Sequence, residues 1–409
     1  MTNSNQTIAI VGSGVSGVYA AESLRAEGYT GKIALIDKDT NMPYDRPPLS
    51  KEFILNEVSE NDINLIGKEK FKELDVDLKL GITVMDIDID EKVIILSNGE
   101  KIVWNKLILA TGSSLRTLQL DGANLDGIHY LKTLNDALSL KEKLKNINHI
   151  TIVGAGFIGA ELASSLKKLG KEVTILERSP LPLSHILGEE MGKYFLQMHQ
   201  NSGVQTIMED SVVQFNGQKN VEEVVTKKGK VIPCQAVVVG VGVIPNTQLL
   251  DNKLNIERGY VVDEYCQTSI PDVYAVGDCS MWPFLGKHIS VEHWDHAMNH
   301  GQHAAKNIIK GNSIAYTVVP YFWSDQYDKR LQYFGHSKNW KNTLLRGSID
   351  DGMFSYFYLD ENNIIEAALL VNKPKEAISV RRLIKEQKPI DINALADTNI
   401  KLKKCISSV

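Results

Sequence analysis

Two glycine-rich turns, 142 residues apart, have the residue types and the spacing needed to bind a nucleotide. Each has the pattern GxGxxG between an apolar strand and a helix, formed by Gly12, Gly14 and Gly17 in the first copy and by Gly154, Gly156 and Gly159 in the second. The first glycine of such a triplet permits a tight turn, the second lets the backbone approach a pyrophosphate, and the third lets the helix pack on the strand. The sequence therefore predicts two dinucleotide sites.

An acidic residue follows each turn at the end of the next apolar strand. Asp37 lies 25 positions after Gly12, and Glu177 lies 23 positions after Gly154. At about this interval a carboxylate can accept a hydrogen bond from the ribose of the bound dinucleotide. Two cofactors in one fold suggest that electrons pass between them.

Size, charge and composition exclude several classes of protein. The 409 residues exceed one ordinary core and predict two or three domains. A net charge of −5 argues against a general nucleic-acid binder. The chain has no run of eighteen apolar residues, and its first residues, MTNSNQ, are polar, so we expect neither a membrane span nor a secretion signal, and a cytoplasmic location.

The four cysteines show no metal-binding or redox spacing. They are Cys234, Cys266, Cys279 and Cys405, and no CxxC pair occurs. The sequence thus excludes a sequence-adjacent redox dithiol, and we expect no metal site and four buried or incidental thiols.

The order of the patterns predicts an α/β fold with three domains. Residues 1–116 contain the first glycine turn, and residues 117–244 contain the second inside an inserted domain. The short apolar strand of VYAVGDC, which ends at Asp278, indicates that residues 245–318 return to the first domain. Residues 319–409 change to β-rich alternation and a late helix, which predicts a C-terminal α+β domain.

Five further motifs carry a family resemblance. They are PYDRPPLSK at 43–51, LILATG at 107–112, VYAVGDC at 273–279, VEHWDHAMNHGQHAA at 291–305 and PYFWSDQYDKRLQYFG at 320–335. With the two turns, they resemble the FAD-containing, NADH-dependent ferredoxin reductases of bacterial oxygenase systems over essentially the whole chain. The resemblance implies two doubly wound, glutathione-reductase-like domains, with FAD in 1–116 and 245–318 and NADH in 117–244, followed by a reductase C-terminal domain at 319–409.

The resemblance also implies contacts to the adenosine and phosphates of FAD. The residues on the pyrophosphate would be Gly12, Gly14, Val15 and Gly17. Asp37 would bind the adenosine ribose, Arg46 would neutralise phosphate, and Val84 would meet the adenine through its backbone. Lys132 falls where relatives commonly carry arginine, and a single ammonium cannot reproduce a guanidinium fork.

Nearer the flavin ring, the resemblance implies a second group of contacts. Lys51 would lie beside the isoalloxazine and pair with Glu161. Asp278 would bond the ribityl chain, and Trp294 would cover the ring near its pyrimidine edge. The chemistry would need no side chain as acid, base or nucleophile, because the protein positions the cofactors and tunes their electrostatics.

In the second turn, Gly154, Gly156 and Gly159 would hold the pyrophosphate of NADH. Glu177 would take the adenosine ribose and repel a 2′-phosphate, which favours NADH over NADPH, although the neighbouring Arg178 could attract that phosphate.

The acceptor implied by the resemblance is a ferredoxin or rubredoxin that supplies an oxygenase. The aromatic residues near the electron exit would be Trp294, Tyr321 and Trp323, either as packing or as a path. Residues 371–409 hold nine Lys or Arg and four Asp or Glu, a basic face that is either simply solvated or guides an acidic partner.

Two alternatives remain open from the sequence. A disulfide or peroxide reductase of the same fold would need a reactive cysteine in the first helix or the Pro-rich loop, and neither holds one. A signalling flavoprotein resembling apoptosis-inducing factor, switched by NADH, is not excluded by composition.

Overall fold

The computed structural model describes residues 6–407. Its α-helices are α1 (Val15–Ala26), α2 (Lys68–Glu73), α3 (Leu134–Leu144), α4 (Phe157–Lys168), α5 (Ser184–Asn201), α6 (Trp294–Lys310), α7 (Ala377–Glu386) and α8 (Ile392–Ala396).

The strands, in chain order, are β1 (Thr7–Val11), β2 (Lys32–Ile36), β3 (Val76–Lys79), β4 (Val84–Asp88), β5 (Val93–Leu96), β6 (Lys101–Val103), β7 (Lys106–Leu109), β8 (Ser113–Leu115), β9 (Ile128–Tyr130), β10 (His149–Val153), β11 (Glu172–Leu176), β12 (Gln205–Ile207), β13 (Val212–Asn216), β14 (Glu223–Thr226), β15 (Val231–Pro233), β16 (Ala236–Val239), β17 (Val243–Pro245), β18 (Tyr260–Val261), β19 (Val273–Ala275), β20 (Ser280–Phe284), β21 (Lys287–Ser290), β22 (Tyr321–Gln326), β23 (Lys329–Gly335), β24 (Asn342–Ser348), β25 (Met353–Leu359) and β26 (Ile365–Val371).

These elements form two compact units. Unit 1 comprises residues up to 48, 58–115 and 243–318, and unit 2 comprises 49–57, 116–242 and 319 onward.

Unit 1 is built on a five-stranded parallel sheet in the order β19-β7-β1-β2-β3. Four of its strands, β1, β2, β7 and β19, are mostly apolar, as expected for a parallel sheet buried on both faces, while the edge strand β3 alternates apolar and charged residues. Ile8, Ile10, Leu35 and Ile108 of the sheet pack with Leu24 of α1 in one core. Smaller sheets, β4-β5-β6, β17-β8 and β18-β20-β21, complete the unit.

Unit 2 contains a second five-stranded parallel sheet and a separate antiparallel sheet. The parallel sheet has the order β12-β11-β10-β16-β9, flanked by the antiparallel β13-β14-β15. Helix α3 begins at a capping box, in which the Thr133 hydroxyl and the Asp136 carboxylate accept each other's backbone N–H groups. The antiparallel sheet has the order β22-β23-β26-β25-β24, and α5 packs on it through Leu187 and Phe195, which share a core with Phe354.

The predicted fold class is confirmed. Two parallel sheets each begin with the same strand, glycine turn and helix, and the residues after 319 form an antiparallel sheet with helices. Among residues 6–407, no helix combines the length and apolarity that a bilayer span requires.

Candidate functional site

The first glycine turn, in unit 1, is shaped by two close backbone contacts. Gly12 has a left-handed φ of +107°, and a Cβ on it would overlap the carbonyl oxygen of Ala110. A Cβ on Gly17 would overlap the carbonyl oxygen of Gly12. By contrast, a Cβ on Gly14 would meet no atom within 4 Å. The first and third glycines are therefore required by packing, and the second leaves open space at the start of α1.

The second glycine turn, in unit 2, repeats this geometry. Gly154 also has a φ of +107°, and a Cβ on it would overlap the carbonyl oxygen of Gly240. A Cβ on Gly159 would overlap the carbonyl oxygen of Gly154, and one on Gly156 would meet nothing within 4 Å. In both copies the second glycine is the helix N-cap, and no side chain caps the helix. Free N–H groups at a helix N-terminus beside open space fit a pyrophosphate.

Each turn also holds the predicted carboxylate. Oδ2 of Asp37 accepts from the backbone N–H of Ser13 at 2.6 Å and from its hydroxyl at 2.9 Å. Oε2 of Glu177 accepts from the backbone N–H of Ala155 at 2.7 Å. Ser13 and Ala155 both lie between the first and second glycines, so each carboxylate is fixed beside its turn.

Asp278 lies in a second loop of unit 1, directly after β19. It belongs to a short 3-10 helix, Gly277–Cys279, and its Oδ2 accepts from the Ser113 hydroxyl at 2.7 Å. Ser113 was missed by the sequence reasoning. Its neighbour, the motif LILATG, was the signal that could have pointed to it.

Trp294, the first residue of α6, is tied to the Pro-rich loop within unit 1. Its indole N–H donates to Oδ1 of Asp45 at 2.6 Å, and the Tyr19 ring stands edge-on to it at 6.0 Å. Burial raises the pKa of Asp45, and the bond from Trp294 acts in the opposite direction. Asp45 was also missed, although it directly precedes the predicted Arg46.

Lys51 and Glu161 come together in unit 2. Nζ of Lys51 lies 3.7 Å from Oε1 of Glu161, and both side chains are buried. Each oxygen of the Glu161 carboxylate also accepts a hydrogen bond from a hydroxyl, since Ser50 donates to Oε2 at 2.7 Å and Ser324 donates to Oε1 at 2.8 Å. Burial raises the pKa of Glu161, while Lys51 and the two hydroxyls lower it.

A second carboxylate also faces Lys51. Oδ2 of Asp325 lies 3.4 Å from Nζ of Lys51, and its side chain is 44% exposed. The ring of Trp323 lies 5.8 Å from the same ammonium. The sequence reasoning missed Ser324 and Asp325, although both stand in the quoted motif PYFWSDQYDKRLQYFG. Lys51 therefore has one buried and one partly exposed anionic partner.

Three further residues were predicted to contact FAD: Val15, Val84 and Lys132. Val15 is the first residue of α1, and Val84 begins β4, where it is buried and pairs with Leu96. Lys132 lies in unit 2, just before α3, and its backbone N–H donates to the Asp136 carboxylate at 3.1 Å. Their roles toward FAD remain predictions.

The thiols do not fit disulfide chemistry. All four cysteines are free and buried, and burial raises the pKa of each, to about 11 for Cys234. Within residues 6–407, no three His, Cys, Asp or Glu side chains are grouped so as to hold a metal ion. A reactive thiolate needs a lowered pKa and some exposure.

Comparison with known families agrees with this geometry. Residues 6–301 match the family described as pyridine nucleotide-disulphide oxidoreductase, and residues 321–406 match the reductase C-terminal family. The chain belongs to the pyridine nucleotide-disulphide oxidoreductases. Membership in this family implies FAD and NAD(H) as cofactors, and the open space at the two glycine turns fits the pyrophosphates of both.

Individual relatives confirm the resemblance to the ferredoxin reductases of oxygenase systems. Rhodocoxin reductase from Rhodococcus erythropolis is 35% identical over 98% of this chain and 94% of its own length. The ferredoxin–NAD(+) reductase component of the p-cumate 2,3-dioxygenase system of Pseudomonas putida is 31% identical over 97% of this chain and 98% of its own. The crystal structure of the covalent putidaredoxin reductase–putidaredoxin complex contains a chain that matches with a TM-score of 0.95, 30% identity and 98% coverage of both chains.

Proposed function

We propose that this chain is a flavoprotein reductase that passes electrons from NADH through FAD to a ferredoxin-type iron–sulfur protein or a rubredoxin, which then supplies an oxygenase. One observation carries the proposal: the chain holds two glycine turns of the same geometry, each with its own carboxylate. The full-length similarity to ferredoxin reductases of oxygenase systems supports it. We place the protein in the cytoplasm, as the relatives' electron-transfer role suggests.

We assign FAD to unit 1 and NADH to unit 2. Bound FAD supplies the conversion between the two-electron chemistry of a nicotinamide and the one-electron chemistry of an iron–sulfur centre. The N–H groups at the start of α1 and α4 bind the two pyrophosphates. Asp37 and Glu177 take the adenosine riboses, and Asp278, oriented by Ser113, takes the ribityl chain.

Cofactor preference depends on Glu177 in this assignment. Its Oε2 is held by the Ala155 N–H and its Oε1 accepts from the Ser179 N–H at 2.7 Å, so the carboxylate is fixed at the end of β11. A fixed negative charge repels a 2′-phosphate and accepts from a 2′-hydroxyl, which favours NADH.

Lys51 contributes a fixed positive charge. Its ammonium is attracted by Glu161 and Asp325, and Glu161 is itself held by the hydroxyls of Ser50 and Ser324. A buried cation with an anchored partner keeps its position without reorganisation, which is how a protein stabilises charge that develops nearby. We propose that the flavin ring is the group that Lys51 acts on.

Electron delivery can be tested with the purified protein. We expect a yellow protein that retains FAD, and NADH-dependent reduction of cytochrome c that is fast only when a ferredoxin from an oxygenase system is added. Equal rates without ferredoxin would favour the NADH-switched signalling alternative. A colourless protein that refuses FAD on reconstitution would contradict the whole proposal.

Docking of an acidic ferredoxin on the basic residues of 371–409 is a separate part of the proposal. The nine basic residues there outnumber the four acidic ones, in a chain whose total charge is −5. Such a field raises the rate of association and is screened by salt. Turnover that stays flat as ionic strength rises would contradict steering.

A further inference from the structure

Two of the three histidines of helix α6, His296 and His300, have side chains that are completely enclosed in unit 1. Their relative exposures are 1% and 0%. Burial lowers the pKa of His296 to about 3 and holds that of His300 well below its usual value. Both imidazoles are therefore neutral at neutral pH, and each has one nitrogen that can accept a hydrogen bond.

The accepting nitrogen of His300 faces the turn that carries Asp278. The backbone N–H of Gly277 donates to Nδ1 of His300 at 3.2 Å. Because Nδ1 accepts from this N–H, the ring proton lies on Nε2. The Ser280 hydroxyl oxygen also lies 3.3 Å from Nδ1. The Ser280 hydroxyl donates to the carbonyl oxygen of Gly277 at 2.8 Å. Both backbone polar groups of Gly277 are thus held by side chains.

The turn that carries Asp278 packs against the first glycine turn. Gly277 has a left-handed φ of +69°, and a Cβ on it would lie 2.8 Å from the Ser16 hydroxyl oxygen. Gly301, which follows His300, approaches α1 so closely that a Cβ on it would overlap the carbonyl oxygen of Ser16. Ser16 lies between Gly14 and Gly17. Helix α6, the Asp278 turn and the start of α1 therefore meet at one residue.

The choice of histidine at position 300 has a cost. Within residues 6–407, Nε2 of His300 is buried and has no hydrogen-bond partner. A buried N–H without a partner is unfavourable, and an aromatic hydrocarbon ring would fill the space without that penalty. The bond from Gly277 is an interaction that such a ring could not make.

We propose that His300 is a positioning residue for FAD: as a neutral Nε2–H imidazole it accepts the Gly277 N–H and so fixes the turn from which Asp278 binds the cofactor. The inference rests on the proposed function, because it takes Asp278 as an FAD ligand. His300 itself need not touch FAD.

His296 supplies a matched control. It lies one turn earlier on the same helix, is equally buried and also has a buried Nε2 without a partner within residues 6–407. Its Nδ1 bonds the hydroxyl of Tyr316 at 3.2 Å instead of the turn. Replacing either histidine by phenylalanine removes one buried imidazole from α6, but only the change at 300 removes the acceptor of Gly277.

The test is FAD affinity of the apoprotein, measured by fluorescence titration, for wild type, His300→Phe, His300→Gln and His296→Phe. We expect His300→Phe to raise the Kd for FAD about tenfold or more, as the loss of a buried acceptor predicts. His296→Phe should stay within about threefold of wild type, and His300→Gln, whose amide oxygen can accept, should recover most of the loss. Equal effects of the two phenylalanine variants would overturn the proposal and indicate general core damage.

A second measurement needs no variant. In ¹⁵N spectra of histidine-labelled wild type at neutral pH, His300 should show the Nε2–H tautomer, and the Gly277 amide should be protected from hydrogen exchange in the apoprotein. An Nδ1–H tautomer or a charged ring would overturn the inference. Failure of wild type to bind FAD at all would instead contradict the proposed function, so the two failures are distinguishable.

Discussion

The two glycine turns are alike in their backbone and differ in the helices that follow them. With an offset of 142 residues, Gly12, Gly14 and Gly17 correspond to Gly154, Gly156 and Gly159. At the same offset Tyr19 of α1 corresponds to Glu161 of α4. Tyr19 stands edge-on to the Trp294 ring, while Glu161 is a buried carboxylate that faces Lys51.

This difference separates binding from chemistry. The glycine turns have the same geometry in both units: the first and third glycines make the same backbone contacts, and the second faces the same open space. The same geometry fits the same role, binding a pyrophosphate. Two residues beyond the third glycine, one unit has an aromatic ring that packs, and the other has an ionisable group that holds a cation. In the proposed function, the second copy of the turn differs from the first by a charged side chain one turn into the helix, which holds Lys51 in place.

The largest loss of cofactor affinity should follow replacement of the first glycine of either turn by alanine. A φ of +107° costs an L-residue about 1–3 kcal/mol, and the Cβ would also overlap a strand carbonyl. We expect Gly12→Ala to weaken FAD binding about a hundredfold or more, and Gly154→Ala to weaken NADH binding similarly while FAD is retained. FAD absorbance after gel filtration and NADH titration measure the two effects.

The control for these variants is Gly67→Ala, because Gly67 lies in unit 1 outside both glycine turns, at the N-cap of α2, and a Cβ there meets nothing within 4 Å. It should bind both cofactors normally. Loss of FAD from Gly154→Ala but not from Gly12→Ala would reverse the assignment of cofactors to the two units.

How far the sequence predicts this site depends on the distance between partners. The glycine turns and their carboxylates were predictable because each lies within about 25 residues and follows local rules of turn and strand. The pairs Ser113–Asp278, Asp45–Trp294 and Ser324–Glu161 are 165, 249 and 163 residues apart. No local pattern specifies such contacts, which arise only when the parallel sheets and their insertions are assembled.

The next largest effect is expected on the rate of flavin reduction by NADH, when Glu161 of α4 loses its charge. In Glu161→Gln the amide carries no charge to attract the Lys51 ammonium 3.7 Å away. The hydroxyls of Ser50 and Ser324 then no longer donate to a charged group, and hydrogen bonds to charged groups contribute about 1.5–3 kcal/mol. We expect the bleaching of flavin absorbance by NADH in anaerobic stopped flow to slow by about ten- to hundredfold.

The matched change in unit 1 is Tyr19→Phe, which removes a hydroxyl and keeps the ring against Trp294. Its bleaching rate should stay within about twofold of wild type. Lys51→Met should behave like Glu161→Gln. Unchanged rates in both unit 2 variants would remove the pair from the mechanism and leave the two helices equivalent.

Two buried groups, His296 in unit 1 and Glu161 in unit 2, should respond to acid with opposite signs. The pKa of His296 falls from 6.5 to about 3 on folding, so the unfolded chain binds more protons between these values and acidification lowers the free energy of unfolding. The pKa of Glu161 is raised from 4.5, so just above that pH the folded state binds more protons and acidification raises the free energy of unfolding.

Denaturant unfolding at a series of pH values checks this. His296→Phe should be less sensitive than wild type to acidification below about pH 6.5, because the proton uptake on unfolding is removed. Glu161→Gln should lose the stabilisation that wild type gains on acidification toward pH 4.5. If both variants shifted the pH profile in the same direction, the contrast between a neutral histidine site and a buried carboxylate would be wrong.

The smallest effect should come from the partly exposed carboxylate beside Lys51. Asp325 lies closer to the ammonium than Glu161 does, 3.4 Å against 3.7 Å, but its side chain is 44% exposed and water screens the attraction. We therefore expect Asp325→Asn to slow flavin bleaching by only about threefold, with Asp328→Asn, whose carboxylate pairs with Lys329, as the control. An effect as large as that of Glu161→Gln would mean that burial does not decide which carboxylate positions Lys51. Asp325 of β22 would then position Lys51 as much as Glu161 of α4 does.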